Sequence, residues 1–221
     1  MNKQILIVGA TGRTGRLIVR KRLEVGRRPH ILARDPVKAR DLFGEDVATF
    51  VGDVRQPETL TEAVAGCDTL ISAIGSLSPV GPDCPRYVDF EGVANLVDTA
   101  REAGVRRFVL ISSIAVTHPE HPLNNFGRVL DWKRAGEECL VDSGLNYTII
   151  RPGGLKNTAG DLRRLLIDQG DRLVGFLSRS DLAEACLQAL CHPSSHRAIF
   201  ELIENEHKGP PDWRALFSSL I

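Results

Sequence analysis

Aromatic residues are scarce in this chain: they make up 5% of 221 residues, with tyrosine only at Tyr87 and Tyr147 and a single methionine. A phenol is available for chemistry at just those two positions. Cysteine is sparse and scattered. Cys67, Cys84, Cys139, Cys186 and Cys191 form no C-x-x-C pair and no ligand spacing with histidine, so no metal site is expected. Cys191 and His192 are adjacent at a helix end and are poorly placed to share a ligand. An odd number of dispersed thiols predicts a reducing, cytoplasmic compartment. Neither charge is in excess, because 28 Lys and Arg balance 28 Asp and Glu. That balance argues against nucleic acid or an anionic membrane as partner. The basic residues from Arg13 to Arg28 read as a local anion site and a solvated helix face. No apolar run is long enough for a signal peptide or a membrane span.

Hydrophobic residues at 43% and charged residues at 25% are ordinary for a globular protein. The length predicts one domain over 1–221, elaborated at its C-terminal end, as a monomer or small homo-oligomer. The most informative segment is Gly9-Ala10-Thr11-Gly12-Arg13-Thr14-Gly15. It follows the apolar run Gln4–Val8, a strand buried on both faces, and precedes a helical pattern from Arg16 to Val25. Strand, glycine loop and helix in that order make a dinucleotide site. Gly9 permits the tight turn, Gly12 lets the backbone approach a pyrophosphate, and Gly15 lets helix and strand pack closely. The helix N-terminus supplies N–H groups and positive dipole to the phosphates.

Further strands are expected at Pro29–Ala33, Val47–Val51, Thr69–Ala73, Arg107–Ile111 and Tyr147–Ile150. Helices are expected near Pro36–Phe43, Pro57–Ala65, Val88–Ala103 and Val129–Ser143. Strands joined by helical crossovers require parallel pairing, hence an α/β fold with a Rossmann-type doubly wound parallel sheet. After Arg151-Pro152-Gly153-Gly154 the alternation weakens. Asp161–Gln169 and Asp181–His192 read as helices, Ala198–Ile203 as a strand, and Pro211 as the start of a final amphipathic helix. These late segments are expected to form a small cap over the C-terminal strand edge.

The end of the second strand bears on the cofactor. An NAD site places an acid there to bond the ribose hydroxyls. Here Ala33 is followed by Arg34, which suits a 2′-phosphate, with Arg13 and Lys38 as further cations. Asp35 leaves an alternative open, because a register slip of two would bring an acid to that place. The reading is NADP(H). Asp53 and Val54, closing the third strand, are expected beside the adenine. Ala73-Ile74-Gly75, closing the fourth, let the chain pass close to the adenosine ribose.

With Gly9-Ala10-Thr11-Gly12-x-Thr14-Gly15, Ala33-Arg34-Asp35, Gly52-Asp53-Val54, Glu91-Gly92-Val93-Ala94-Asn95, Ile111-Ser112-Ser113 and Tyr147-x-Ile149-x-Arg151-Pro152-Gly153, the chain resembles the atypical short-chain dehydrogenase/reductase proteins. The resemblance is to their NAD(P)-binding, NmrA-like branch. His121–Asn125 with Asp131-Trp132-Lys133 is similar to the chloroplast inner-envelope and bacterial members, and the first half to the flavin/biliverdin reductase B proteins. The resemblance implies Ser113 as the serine that polarises a substrate carbonyl. It implies Lys133 as the lysine that holds the nicotinamide ribose, and Pro152-Gly153 beside the nicotinamide. The family's tyrosine, four residues before that lysine, is replaced by Val129, and neither Tyr87 nor Tyr147 is expected near that helix face. His118 and His121 stand in the loop before that helix, where surface groups are the ordinary case. Two functions follow. One is an NADPH-dependent reductase of a small acceptor such as a flavin, quinone or carbonyl; the other is a non-catalytic NADP(H)-binding redox sensor. The loops Ser76–Arg86 and Thr117–Arg128 do not name a substrate.

Overall fold

The computed structural model describes residues 4–220. In chain order, β1 (Ile5–Val8), α1 (Gly15–Glu24), β2 (His30–Ala33), α2 (Pro36–Phe43), β3 (Thr49–Val51), α3 (Thr61–Val64), β4 (Thr69–Ser72), α4 (Gly92–Glu102), β5 (Arg107–Ile111), α5 (Val129–Asp142) and β6 (Tyr147–Pro152) alternate strand with helix. They are followed by β7 (Gly154–Lys156), β8 (Arg163–Asp168), β9 (Phe176–Ser178), α6 (Arg179–Gln188), β10 (Ala198–Lys208) and α7 (Trp213–Ser218). The main sheet runs β3-β2-β1-β4-β5-β6-β10-β8, parallel except for β8, which lies antiparallel on β10; β7 and β9 form a separate parallel pair.

Period-two alternation along each strand feeds two cores, one on each face of the sheet. Ile5 and Ile7 of β1 join Ile18 and Val19 of α1 and Leu182 and Ala185 of α6. Leu6 and Val8 point the other way and join Val93, Leu96 and Val97 of α4. Each fully buried aliphatic side chain contributes about 1.5–3 kcal/mol, so the doubly covered strands are the stable part of the molecule. No helix among the described residues is long and apolar enough to cross a membrane.

Three sequence expectations need correction. Asp161–Gln169, read as a helix, contains β8 instead. Its core side chain is Leu165, the neighbouring Leu166 is exposed, and pairing with β10 outweighs the helical spacing. The helix expected over Pro57–Ala65 breaks at Leu60 into a 3-10 turn and the short α3. The helix expected from Val88 begins with a π-helical stretch, Arg86–Glu91, that runs into α4. That wider turn brings Asp89 inside the protein, where the residue is 2% exposed.

Two buried arginines lock strands to their surroundings. Arg107, at the start of β5, donates to Asn146 Oδ1, Thr148 Oγ1, Ser195 Oγ and the Ala189 carbonyl. All four acceptors are neutral, and burial pushes its pKa down to about 10. Arg151, near the end of β6, grips Glu137 of α5 through Nε to Oε1 at 3.0 Å and Nη2 to Oε2 at 2.6 Å. Removing one partner of a buried ion pair leaves an uncompensated charge. Arg151→Met is therefore expected to lower stability by about 3–5 kcal/mol, and Glu137→Gln in the same chain to recover part of it. Urea unfolding midpoints of the single and double variants measure this.

Candidate functional site

β1 stands where the strand order reverses, with β2 on one side and β4 on the other, and the reversal opens a crevice at the C-terminal strand ends. Gly9 turns the chain there at φ +77°, and a Cβ on it would lie 2.7 Å from the Ala73 carbonyl oxygen. A Cβ on Gly15 would overlap the Gly9 carbonyl, so α1 seats against the loop only as glycine. The Gly12 N–H donates to the Gly9 carbonyl at 3.0 Å and closes the turn. Thr14, at the N-cap of α1, makes no side-chain cap bond, and the first turn holds no acid. A cradle that a Cβ would fill and a helix start without a side-chain cap fit a dinucleotide's diphosphate.

Gly9, Thr11, Gly12 and Arg13 line a cavity of about 600 Å³ with Arg34, Asp53, Val54, Ala73, Ile74 and Gly75. Thr14 and Gly15 are buried at the start of α1. Ser113, Lys133, Pro152 and Gly153 do not line this cavity. Ser113 follows β5, half-buried, and its hydroxyl makes no hydrogen bond among the described residues. Gly153 donates its N–H to the Leu202 carbonyl at 3.0 Å, and the Pro152 carbonyl accepts from the Ile114 N–H at 3.2 Å.

Lys133 is not a free ammonium. Its Nζ lies 2.7 Å from Asp89 Oδ1, and the two side chains are 16% and 1% exposed. Asp89 Oδ2 also accepts from the Ser76 N–H at 3.1 Å, which joins the lysine to the chain leaving β4. Asp89 went unnoticed in the sequence because only the π-helical stretch turns it inward. The same stretch carries Tyr87 and packs along α5, closer than the sequence suggests. Its ring is 40% exposed, with the Arg86 guanidinium 5.6 Å from the ring centre. Val129 packs against Ala115, Val116 and Leu130.

Asp35 caps α2, accepting from the Lys38 N–H at 3.0 Å, which resolves the register at the end of β2. The Asp53 carboxylate, expected beside an adenine, is occupied by Arg55 instead. Oδ1 accepts from the Arg55 backbone N–H at 3.0 Å and from Nε at 2.9 Å, and Oδ2 from Nη2 at 2.5 Å. These bonds hold Asp53 below the usual carboxylate range and raise Arg55. Asp83 joins the group, with Oδ1 accepting from Arg34 Nη1 at 2.8 Å and standing 3.2 Å from Arg55 Nη1. Arg55 went unnoticed in the sequence, although its place directly after Gly52-Asp53-Val54 marks it as a cation at a strand end; Asp83 belongs to a distant loop and carries no such signal. On the other side, Arg179 at the start of α6 donates to the Leu155 carbonyl and to Asn157 Oδ1. Burial, followed by the nearby Arg13 and Arg16, pushes its pKa down.

The loop after β5 is held by Asp171. Its carboxylate accepts from the Ala115 N–H at 2.6 Å and from the Thr117 N–H and hydroxyl, both at 2.8 Å. Ala115 sits at φ 66° and Asp171 at φ 59°, strained values that these bonds sustain. Burial pushes the Asp171 pKa up, but the bonds from Thr117 and Ala115 outweigh it and leave it below normal. A depressed folded-state pKa contributes stability above the unfolded value, about 4, that is lost as pH falls through the folded value. Asp171→Ala is expected to lower stability by about 1–3 kcal/mol at neutral pH, with the gap closing below about pH 4. Unfolding curves at both pH values decide it.

Comparison with known proteins agrees with this geometry. A family model described as NAD(P)H-binding matches residues 9–193. The chain is 36% identical to sanguinarine reductase of Eschscholzia californica over 261 residues, covering 98% of this chain and 95% of that protein. It is 31% identical to NAD(P)H azoreductase of Xenophilus azovorans over 203 residues, covering 89% and 66%. In fold it is similar to a putative NAD-dependent epimerase/dehydratase from Bacillus halodurans, with TM-score 0.82, 24% identity and coverage of 93% and 96%. With its glycine cradle at the strand-order reversal, the chain belongs to the NAD(P)H-binding family, in the NmrA-like branch of the atypical short-chain dehydrogenase/reductases.

Proposed function

We propose that this protein is an NADP(H)-dependent reductase of a small acceptor such as a flavin, a quinone or a carbonyl compound. One observation carries the cofactor preference. The end of β2 presents Arg34 to the cavity, and Asp35, which also lines it, has its Oδ1 engaged by the Lys38 N–H as the cap of α2. An NAD-selective site needs an acid at that strand end for the ribose hydroxyls. A guanidinium instead offers a planar fork to a 2′-phosphate, with Lys38 and Arg55 lining the same cavity. The glycine loop and the first turn of α1 take the diphosphate. Val54, Ala73, Ile74 and Gly75 bed the adenosine.

A bound nicotinamide supplies hydride, and that chemistry belongs to the cofactor. What remains for the chain is to orient the acceptor and provide a proton. Ser113, whose hydroxyl is free of hydrogen bonds among the described residues, offers it to the acceptor's oxygen or nitrogen. Lys133 is joined through Asp89 to the Ser76 N–H on the chain leaving β4 and is the cation assigned to the ribose on that side. Val129 leaves α5 without a phenol, which favours acceptors that need little help with protonation. Leu77 and Val80 are 75% and 74% exposed on the strap after β4, an apolar rim suited to a flat acceptor. The relatives named a sanguinarine reductase and an NAD(P)H azoreductase support reduction of such molecules. Residues 1–221 act as a single domain with substrate and cap elements mainly in 151–221, although β10 and β8 of that region extend the main sheet and only β7 and β9 pair apart from it. The five free thiols suit a reducing, cytoplasmic compartment. The missing phenol also favours a second reading, a sensor that binds the cofactor without turnover.

Arg34→Gln is expected to weaken NADP(H) binding about tenfold and to leave NAD(H) unaffected, because a half-exposed charge-assisted bond is lost. Titration of both cofactors checks this, and equal affinities in the parent protein overturn the NADP reading. NADPH consumption across flavins, quinones and aldehydes separates reductase from sensor, tight binding without turnover favouring the latter. Val129→Tyr is expected to raise carbonyl reduction above background.

A further inference from the structure

The subsite assigned above to a 2′-phosphate already contains an anion supplied by the chain. Asp83 Oδ1 sits between two guanidiniums, 2.8 Å from Arg34 Nη1 and 3.2 Å from Arg55 Nη1. The Asp53 carboxylate holds the other side of Arg55, with Oδ2 4.0 Å from Arg34 Nη1. Within this group two cations and two carboxylates cancel, so Arg34 and Arg55 offer a phosphate little net charge beyond that of Lys38, which lines the same cavity. Withdrawal of Asp83 leaves the group with one positive charge in excess. Asp83 is also the easier carboxylate to withdraw. Its side chain is 37% exposed against 13% for Asp53, and it makes fewer bonds to Arg55. Pairs this exposed are weak and screened by salt.

Asp83 is tied to more than the arginines. It lies in the strap between β4 and the π-helical stretch. Arg55 Nη1 also binds the strap at the Pro82 carbonyl, at 2.9 Å. The start of the strap is anchored separately, by the Ser76 N–H on Asp89. In between, Pro79 lies so close to Gly127, ahead of α5, that a Cβ on Gly127 would overlap the Pro79 carbonyl. The strap therefore runs from the arginine pair to the segment that leads into the Lys133 helix, with the exposed Leu77 and Val80 upon it.

We propose that Asp83 is a specificity-determining gate residue. Its carboxylate stands in for the 2′-phosphate between Arg34 and Arg55, and a cofactor carrying that phosphate displaces it and frees the Pro82–Asp83 end of the strap. A cofactor without the phosphate leaves the strap latched. This rests on the NADP(H) reading above and adds a consequence to it: the phosphate furthest from the chemistry unlatches the segment beside the acceptor. Ser76 is held by Asp89 on one side and the Cys84 carbonyl by the Tyr87 and Val88 N–H groups on the other, so displacement of Asp83 loosens the segment between these two anchors. The binding energy of NADP(H) is reduced by the work of displacement.

The test uses the full chain with NADP⁺, NAD⁺, adenosine 2′,5′-bisphosphate and adenosine 5′-monophosphate as probes. Asp83→Asn and Asp83→Ala are expected to raise NADP⁺ affinity about threefold to tenfold while leaving NAD⁺ within about twofold, the scale of one or two exposed charged bonds. In the parent protein, the 2′,5′-bisphosphate is expected to speed amide hydrogen exchange over 77–84, and the monophosphate to leave it unchanged. If the parent prefers NADP⁺ and Arg34→Gln removes that preference, yet both Asp83 variants keep the parent's affinity ratio, the gate is overturned and the NADP(H) reading stands. If the parent shows no preference and Arg34→Gln changes nothing, both fall. Equal exchange over 77–84 with either adenosine probe also overturns the gate.

Discussion

The approach of the Gly9–Gly15 loop to the chain leaving β4 is the constraint on which the rest of the site depends. Gly9 takes a positive φ against the Ala73 carbonyl, and Gly15 presses α1 onto the Gly9 carbonyl. That double contact aims the start of α1 at the crevice between β2 and β4. The helix arrives without an acid in its first turn and without a side-chain cap, and of its first N–H groups those of Arg16 and Leu17 already donate to the Gly12 and Thr14 carbonyls. A larger side chain at either glycine would push the helix back or close the crevice. The doubly covered sheet keeps the loop rigid, since β1 is buried along its whole length.

Around that frame the protein distributes its buried charges by function. Arg151 and Glu137 form a two-bond pair that fastens β6 to α5, and the low exposure of both makes it structural. Asp171 accepts three bonds from the loop after β5 and keeps Ala115 in a strained conformation close to Ser113. Asp89 and Lys133 differ from both. Their pair lies deep, yet it is bonded to Ser76 on the strap that borders the cofactor cavity, so its geometry links α5 to that cavity. Arg34 and Asp83 lie at the exposed end, where water weakens their contact and a ligand can compete, while Asp53 and Arg55 beside them are more enclosed. Depth therefore separates the groups that hold the fold from those that remain free to exchange partners.

Periodicity and glycine spacing are local properties, and they were enough to place the strands from β1 to β6, the glycine loop and the strand-end residues that line the cavity. Ala33-Arg34 and Ala73-Ile74-Gly75 needed only their positions after apolar runs. Asp161–Gln169 failed for a tertiary reason, because pairing with β10 decides between strand and helix when a short apolar pattern suits both. Lys133 was identified by resemblance, but its ion pair with Asp89 required the π-helical turn, which has no signature in residue spacing.

By itself, then, the sequence determined the architecture and the chemistry of the loop. It did so because hydrophobic alternation and the steric freedom of glycine act within a few residues along the chain. Only the tertiary structure decided which charges meet. Arg55 turned the Asp53 carboxylate to itself, and Asp83 crossed from a separate loop to stand between Arg34 and Arg55. Those pairings join residues up to 49 positions apart in the chain, and they depend on how the strap folds back over the crevice.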